Sequence, residues 1–300
     1  MKIVQHKRSS SLPVVLLCSF LGATAMVDAM ANTTPRMIIT KPSAAASNEH
    51  QHHGGHQQHG QQGAQQQPRP RRRGAGKQLI LKNGEGAVVK FWAPDLSTTE
   101  VALEGNRFTT PKPAVDNYHA LIAEQQIGNL KQAAIRYMYM RGKPSKESPS
   151  KLAAAQKTEL EIEPAPIPRE HHRYMANKVW EFIVRFKGEP LSGIPVMLET
   201  SQGSRVEATS NDAGLVQFTI PDDFSEVKPG RRKNPAAELS LFAEYKTESA
   251  QYETTLSAAY HVDPDHWRSK GWGVAVAGLG LVVGGFVGGI GRGNKRGKKQ

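Results

Sequence analysis

The chain has 300 residues, room for about two domains, and its composition of 38% hydrophobic and 7% aromatic residues excludes a polytopic membrane protein and one large core filling the chain. The formal net charge of +12 is concentrated in residues 1–31, 69–77 and 291–300, which carry net charges of +2, +5 and +5. The remainder is close to neutral, which argues against a nucleic-acid-binding protein because such proteins present a basic face on their folded part.

Residues 1–31 have the features of a secretory signal peptide. Three basic residues within the first eight positions precede an apolar run from Leu12 to Ala25, and Ala29-Met30-Ala31 supplies the small residues that signal peptidase requires. An uncleaved anchor is the alternative, although the run is shorter than the ~20 residues of a membrane span. Cleavage after Ala31 predicts an exported, periplasmic chain that no longer contains Cys18, the only cysteine.

Residues 32–78 are rich in Gln, Gly, His and Pro and lack apolar periodicity, which predicts a disordered arm. Imidazole is a good ligand for Ni, Co, Cu and Zn, so a flexible chain carrying several can fold around such an ion. The sequence therefore names a divalent transition metal as the candidate cofactor, with a low-complexity tract of no selected affinity as the alternative. The arm's candidate ligands are His50, His52, His53, His56 and His59.

Residues 79–163 form a first predicted domain, in which short alternating runs are punctuated by Pro, Asn and Gly. Such runs are typical of strands joined by turns. The predicted strands lie at 87–92, 100–103, 119–123 and 133–140. Residues 164–178 follow as a connector, stiffened by the prolines of the segment 164–168, because proline fixes φ and excludes helix.

Residues 179–266 form the second predicted domain and show the clearest periodicity in the chain. Trp180, Phe182, Val184 and Phe186 alternate with polar residues, as in a half-buried strand. About seven short strands without an amphipathic helix favour a β-sandwich. The predicted fold class is therefore mainly β: two β-sandwich-like domains, a disordered N-terminal arm and one C-terminal transmembrane helix.

Two turn motifs carry a resemblance to known proteins. They read Gly188-x-Pro-Leu-x-Gly-x-x-Val196 and Thr209-x-x-Asp-x-Gly-x-x-x-Phe218, and this pattern resembles bacterial immunoglobulin-like and transthyretin-like modules. Over residues 80–265 the larger arrangement is similar to a family of exported bacterial proteins often labelled as periplasmic components of cobalt or nickel transport systems. The resemblance implies a β-sandwich fold and a role in handling metal.

The body itself offers two further sets of candidate metal ligands. His171 and His172 lie in the connector, and His261 and His266 flank two aspartates within six residues. Nitrogen and oxygen ligands of this kind suit a divalent ion, with surface hydrogen bonds and ion pairs as the alternative. The sequence contains no Gly-x-Ser-x-Gly elbow and no glycine-rich phosphate loop, so no enzymatic activity is predicted.

Residues 267–291 are predicted to form a transmembrane helix, because Trp272 to Ile290 contains no charge and has the length of one crossing. The basic tail 292–300 would stay in the cytoplasm, leaving the body in the periplasm. A generic weak span and a glycine-rich disordered tail are the alternatives. Glycines at four-residue spacing allow a second helix to approach closely; they are Gly280, Gly284 and Gly288, with Gly285 and Gly289 alongside.

These features together predict a non-catalytic binding protein of the bacterial inner membrane with a single span. Its predicted role is to bind a divalent metal or present it to a membrane transport complex. The first alternative is a structural envelope protein that forms homo-oligomers through its glycine-rich helix, without any role in metal binding, and the second is a hydrolase whose site the sequence motifs do not reveal. Either way the expected partner is the inner membrane and not nucleic acid.

Overall fold

The fold is known from a computed structural model that describes residues 35–42, 76–168 and 173–267, all of them within one compact unit. The described residues form a mainly β structure with two short α-helices. The first nine strands are β1 (Ile38–Thr40), β2 (Gln78–Lys82), β3 (Val88–Trp92), β4 (Thr98–Val101), β5 (Arg107–Thr109), β6 (Val115–Ile127), β7 (Leu130–Met140), β8 (Lys143–Pro144) and β9 (Leu160–Pro164).

Eight more strands complete the described part of the chain. Helix α1 (Pro149–Ala154) lies between β8 and β9, and α2 (Pro264–Trp267) follows the last strand. The strands are β10 (Tyr174–Met175), β11 (Val179–Phe186), β12 (Glu189–Pro190), β13 (Pro195–Thr200), β14 (Arg205–Thr209), β15 (Leu215–Thr219), β16 (Ala237–Lys246) and β17 (Gln251–His261).

A ten-stranded sheet runs through the middle of the fold. Its main path is β14-β13-β16-β17-β7-β6-β3-β4, with β10 beside β17 and β8 beside β6. Most neighbours are antiparallel, but β17 and β7 pair in parallel. This pairing joins strands from the two predicted domains in one sheet. The predicted domain boundaries stay predictions, and the structure adds that strand pairing crosses the connector.

Each face of this sheet supports a separate hydrophobic core. On β6, Ala120 and Ile122 belong to one core, while Leu121 and Ala123, which point the other way, belong to the second. This is the alternation of an extended strand buried on both faces. The first core packs the four-stranded sheet of β9, β11, β12 and β15, and the second packs the three-stranded sheet β1-β2-β5. Two β-sandwiches therefore share the central sheet.

Strand β1 differs from the prediction that residues 32–78 are disordered throughout. It pairs with β2, and Met37 and Ile39 are buried in the second core. The hydroxyl of Thr255 on β17 also donates to the carbonyl of Met37. This short apolar run forms a strand in an otherwise polar segment because hydrogen bonds to the edge of β2 and burial in the second core offset the conformational entropy lost on ordering it.

The second turn motif forms as its residue types require. The side-chain oxygen of Asn211 accepts hydrogen bonds from the backbone N–H groups of Ala213 and Leu215. Gly214 has a φ of +70°, and a Cβ there would lie 2.6 Å from the carbonyl oxygen of Val184. Glycine is required at this position both for its backbone conformation and for the close approach of β11.

Candidate functional site

The central sheet opens between β7 and β17. Among the described strands, the last residues that pair between these two are Arg136 and Ser257. Beyond that point β7 continues to pair with β6 as far as Met140, and β17 with β16 as far as Tyr260. The two strands therefore diverge, and a cavity of about 370 Å³ lies in the gap, within the size range of small-molecule sites.

Four cationic side chains line this cavity: Lys41, Lys77, Arg136 and Arg173. None of the described residues that line it is an Asp or a Glu. Lys41 comes from the residues after β1, Lys77 from those before β2, and Arg173 from those before β10. Segments far apart in the sequence thus bring positive charge to one place, which produces a cationic site in a fold whose overall charge is small.

Arg136 is the fixed member of this group. Its side chain is only 3% exposed, and it donates to the carboxylate of Glu238 through both terminal nitrogens, at 2.5 and 3.1 Å. It also donates to the carbonyl of Ile39, at 3.2 Å. Lys41 lies 3.5 Å from the same carboxylate. Glu238 is thus shared by two cations, and this leaves a net positive charge around the cavity.

Lys77 lies at the exposed edge of the cavity and donates to the carbonyl of Tyr139, at 2.8 Å. That carbonyl belongs to the part of β7 that has separated from β17. Partial burial of the ammonium group lowers the pKa of Lys77, and the nearby charges of Lys41 and Arg136 lower it further. An anion in the cavity would reverse this effect by supplying the opposite charge.

His261 forms part of the opposite wall, at the end of β17. Burial lowers its pKa to about 4, with added repulsion from Arg173, Lys41 and Arg231, so the ring is neutral at pH 7. Its Nε2 atom lies 3.4 Å from a guanidinium nitrogen of Arg173 and can accept a hydrogen bond from it. These two residues also line a second cavity together with Arg231, Arg232 and Asn234, which extends the cationic surface.

Tyr174 lies in the cavity wall and is 7% exposed. Its ring packs edge-on against Trp180 and stacks on Phe182, with centroid separations of 4.8 and 5.9 Å. Its buried hydroxyl has no hydrogen-bond partner among the described residues. Burial raises the pKa of this hydroxyl well above its ordinary value, with a smaller contribution from Tyr118, so Tyr174 stays protonated and can donate a hydrogen bond.

The candidate ligands predicted near the C-terminus are divided among different partners. His261 faces Arg173, Asp263 forms an ion pair with Lys178 at 2.9 Å, and His266 lies 2.8 Å from Asp222. The part of the chain that the structure describes contains no group of three or more His, Cys, Asp or Glu side chains arranged to hold a metal ion.

The remaining predicted site residues lie outside the described residues. This applies to the five histidines of the arm, to the connector histidines and to the glycines of the predicted membrane helix, as it does to the signal peptide. None of the helices in the described ranges is long and apolar enough to cross a membrane. The predicted site residues that lie outside the described ranges are His50, His52, His53, His56, His59, His171, His172, Gly280, Gly284, Gly285, Gly288 and Gly289.

Sequence reasoning missed the cationic cavity. One signal for it was present, because Arg136 interrupts the otherwise uncharged run Ala133–Met140. A charged residue within a buried strand requires a partner or a ligand. The other cations, Lys41, Lys77 and Arg173, lie in polar segments where basic residues are common, so nothing in their local sequence distinguishes them.

Comparisons with known proteins assign neither a family nor an activity to this chain. No protein-family model and no curated protein matches the chain. Similar solved structures include a Ca²⁺-stabilised adhesin that helps an Antarctic bacterium bind ice (11% identity, TM-score 0.24, 77% of this chain and 49% of that one). They also include the D0–D1 domains of intimin (12%, 0.24, 63% and 92%). A third is a two-domain fibronectin type III segment of chicken tenascin (8%, 0.20, 62% and 92%).

The chain thus spans about half the length of the first of these structures, and TM-scores this low carry no argument about activity. The chemistry must be read from the cavity itself. Its cations can hold an anion by charge, and the tyrosine hydroxyl, which has no partner among the described residues, can add a hydrogen bond.

Proposed function

We propose that this chain is a non-catalytic binding protein of the bacterial cell envelope whose ligand is an anion, held in the cavity between β7 and β17. The observation that carries the proposal is the lining of that cavity, which includes four cationic side chains and, among the described residues, no carboxylate. Charge of one sign around a partly closed space attracts ligands of the opposite sign. The envelope location rests on the signal peptide and the membrane helix predicted from the sequence.

Thermal unfolding tests the anion proposal, because a ligand that binds the folded state raises the Tm. The full chain in lipid nanodiscs is titrated with inorganic phosphate, benzoate and 2-naphthoate at constant ionic strength. We expect at least one of these anions to raise the Tm, and the double variant Lys77→Met, Arg173→Met to reduce the rise. Lys82→Met, an exposed lysine on β2, is the matched control. No response to any anion, or equal losses in both variants, would contradict the proposal.

A second candidate function is the binding of a divalent transition metal by the arm, for delivery to a membrane transport complex. The observation in its favour is the presence of five histidines within residues 50–59. Binding requires neutral imidazoles, so affinity should fall with decreasing pH through the histidine range.

Calorimetric titration with Ni²⁺, Co²⁺, Cu²⁺ and Zn²⁺ tests this second function. The full chain is compared with a variant that lacks residues 50–59 and with one in which the five histidines are replaced by glutamine. The glutamine variant preserves the length and polarity of the arm. We expect both changes to abolish the tight binding phase, and unchanged affinity in either variant would exclude the arm as the metal site.

A further inference from the structure

The cavity between β7 and β17 has two chemically different walls. One wall carries the cations Lys41, Lys77 and Arg136. The other is apolar, and most of its side chains are buried. It consists of Pro164, Ile167, Pro168, Leu256 and Ala258. A small inorganic anion would use the first wall and leave the second in contact with water.

The divergence of the strands explains why both walls meet in one cavity. Along β7, Arg136 and Met138 face the side of the three-stranded sheet, whereas Tyr137 faces the side of the four-stranded sheet. A continuous sheet would keep these two sides apart. Where β7 leaves β17, the cavity passes through the plane of the sheet and reaches a charged surface on one side and an apolar core on the other.

Tyr174 lines the cavity from the side of the first core. Its ring is fixed by Trp180 and Phe182 within the first core, so the hydroxyl cannot turn out to solvent at low cost. Buried polar atoms in folded proteins are nearly always hydrogen-bonded, and this hydroxyl has no partner among the described residues. The hydroxyl oxygen has less than 1 Å² of accessible surface, so a small movement of the wall would bring it within reach of an acceptor oxygen on a molecule in the cavity.

We infer that the ligand is a small amphiphilic anion, one carboxylate, sulfonate or phosphate group on an apolar body, with the anionic group facing Lys77 and Arg136, a donor from Tyr174, and the body against Ile167 and Leu256. This inference rests on the proposed function, because it names the ligand class of the same cavity. The volume of about 370 Å³ limits the body to the size of a bicyclic aromatic ring or a medium-length alkyl chain. Burial of that body adds a hydrophobic contribution that inorganic anions lack.

Isothermal titration calorimetry on the full chain in lipid nanodiscs tests the inference, with empty nanodiscs as the reference. The probes are 2-naphthoate, its neutral isostere 2-naphthamide and inorganic phosphate; octanoate, run in parallel, distinguishes an aromatic from an alkyl body. We expect 2-naphthoate or octanoate to bind at least tenfold more tightly than both the amide and phosphate.

Variants assign the effect to the cavity. We expect Lys77→Met to weaken binding of the preferred anion at least fivefold, Lys77→Arg to retain most of it, and Lys82→Met to change it less than twofold. Tyr174→Phe, which keeps the packed ring, should weaken binding severalfold without lowering the Tm of the unliganded chain, because it removes a buried hydroxyl that has no partner among the described residues. These four variants separate loss of charge or of a donor from loss of the fold.

Two negative results are distinguishable. If phosphate binds as tightly as 2-naphthoate and octanoate and remains sensitive to Lys77→Met, the cavity takes anions without regard to an apolar body; the inference is then wrong and the proposed function stands. If no anion binds, or if 2-naphthamide binds as tightly as 2-naphthoate, both are wrong.

Discussion

His261 has different surroundings in the sequence and in the folded chain, and the two suggest different roles for its imidazole. Its position near acidic residues in the sequence suggests a metal ligand. In the folded chain, however, burial lowers its pKa, and three nearby cations, Arg173, Lys41 and Arg231, lower it further. Its imidazole is neutral because the surroundings penalise the charged form. At neutral pH His261 therefore serves the cavity as a hydrogen-bond acceptor that adds no charge.

We predict that the imidazole of His261 titrates near pH 4, well below the ordinary histidine value of about 6.5. As the pH falls below about 6.5, the unfolded chain takes up a proton at this position and the folded chain does not, so stability decreases until the folded pKa is reached. NMR titration of the ring carbons measures the pKa. Urea unfolding measures the difference in the free energy of unfolding between wild type and His261→Gln. This difference should decrease as the pH falls from about 6.5 to about 4. A ring that titrates at 6 or above would contradict the prediction.

At the scale of elements, the sequence predicts strands of the sheets, but it does not predict where two strands distant in the sequence pair and where they separate. The alternation of Trp180, Phe182, Val184 and Phe186 predicts β11, and the structure confirms it, with Phe182 and Val184 fully buried. Local periodicity is sufficient here because it determines which side of a strand is apolar. The cavity instead depends on the parallel pairing of β7 and β17, which are more than a hundred residues apart, and no local pattern encodes where such a pairing ends.

Strand β1 offers a direct test of an element that local sequence does not predict. Ile39 is completely buried in the second core, whereas its neighbour Ile38 is only partly buried. We predict that Ile39→Ala lowers the free energy of unfolding by about 2–4 kcal/mol, and that Ile38→Ala lowers it by less than about half as much. Urea unfolding measures both. Similar, small losses in the two variants would mean that β1 does not dock on the sheet.

The turn at Gly214 is a second element whose requirements can be separated. Gly193 has nearly the same positive φ, +74° against +70°, but has open space where Gly214 has the carbonyl of Val184. Gly193→Ala should cost about 1 kcal/mol for the backbone conformation alone, and Gly214→Ala should cost at least about 1 kcal/mol more because its Cβ must displace β11. The same unfolding experiment compares them. Equal losses would show that β11 yields without cost.

For the whole molecule, the overall charge hides the feature on which the proposed function depends. The net positive charge of the sequence is concentrated in segments near its ends and in the arm, because the acidic and basic residues of the body nearly balance. Yet Lys77, which belongs to the basic segment 69–77, is placed at the edge of the cavity together with Arg173 from a distant segment. Net charge measures the sum over a molecule, and binding depends on its distribution in space.

The shared central sheet makes a final prediction about the molecule as a unit. Strands β6 and β7 contribute side chains to both hydrophobic cores. Neither sandwich can therefore unfold without removing strands that the other sandwich needs. We therefore predict one cooperative unfolding transition for the body, with equal calorimetric and van't Hoff enthalpies.

Two variants of the same chemistry make this test selective. Ile39→Ala removes methyl groups from the second core and Ile162→Ala, on β9, from the first; both isoleucines are completely buried. In differential scanning calorimetry each variant should lower the Tm of the single transition, by a few degrees per kcal/mol lost, and leave its shape unchanged. Two resolved transitions, each shifted by only one of the variants, would mean that the sandwiches unfold independently in spite of the strands that they share.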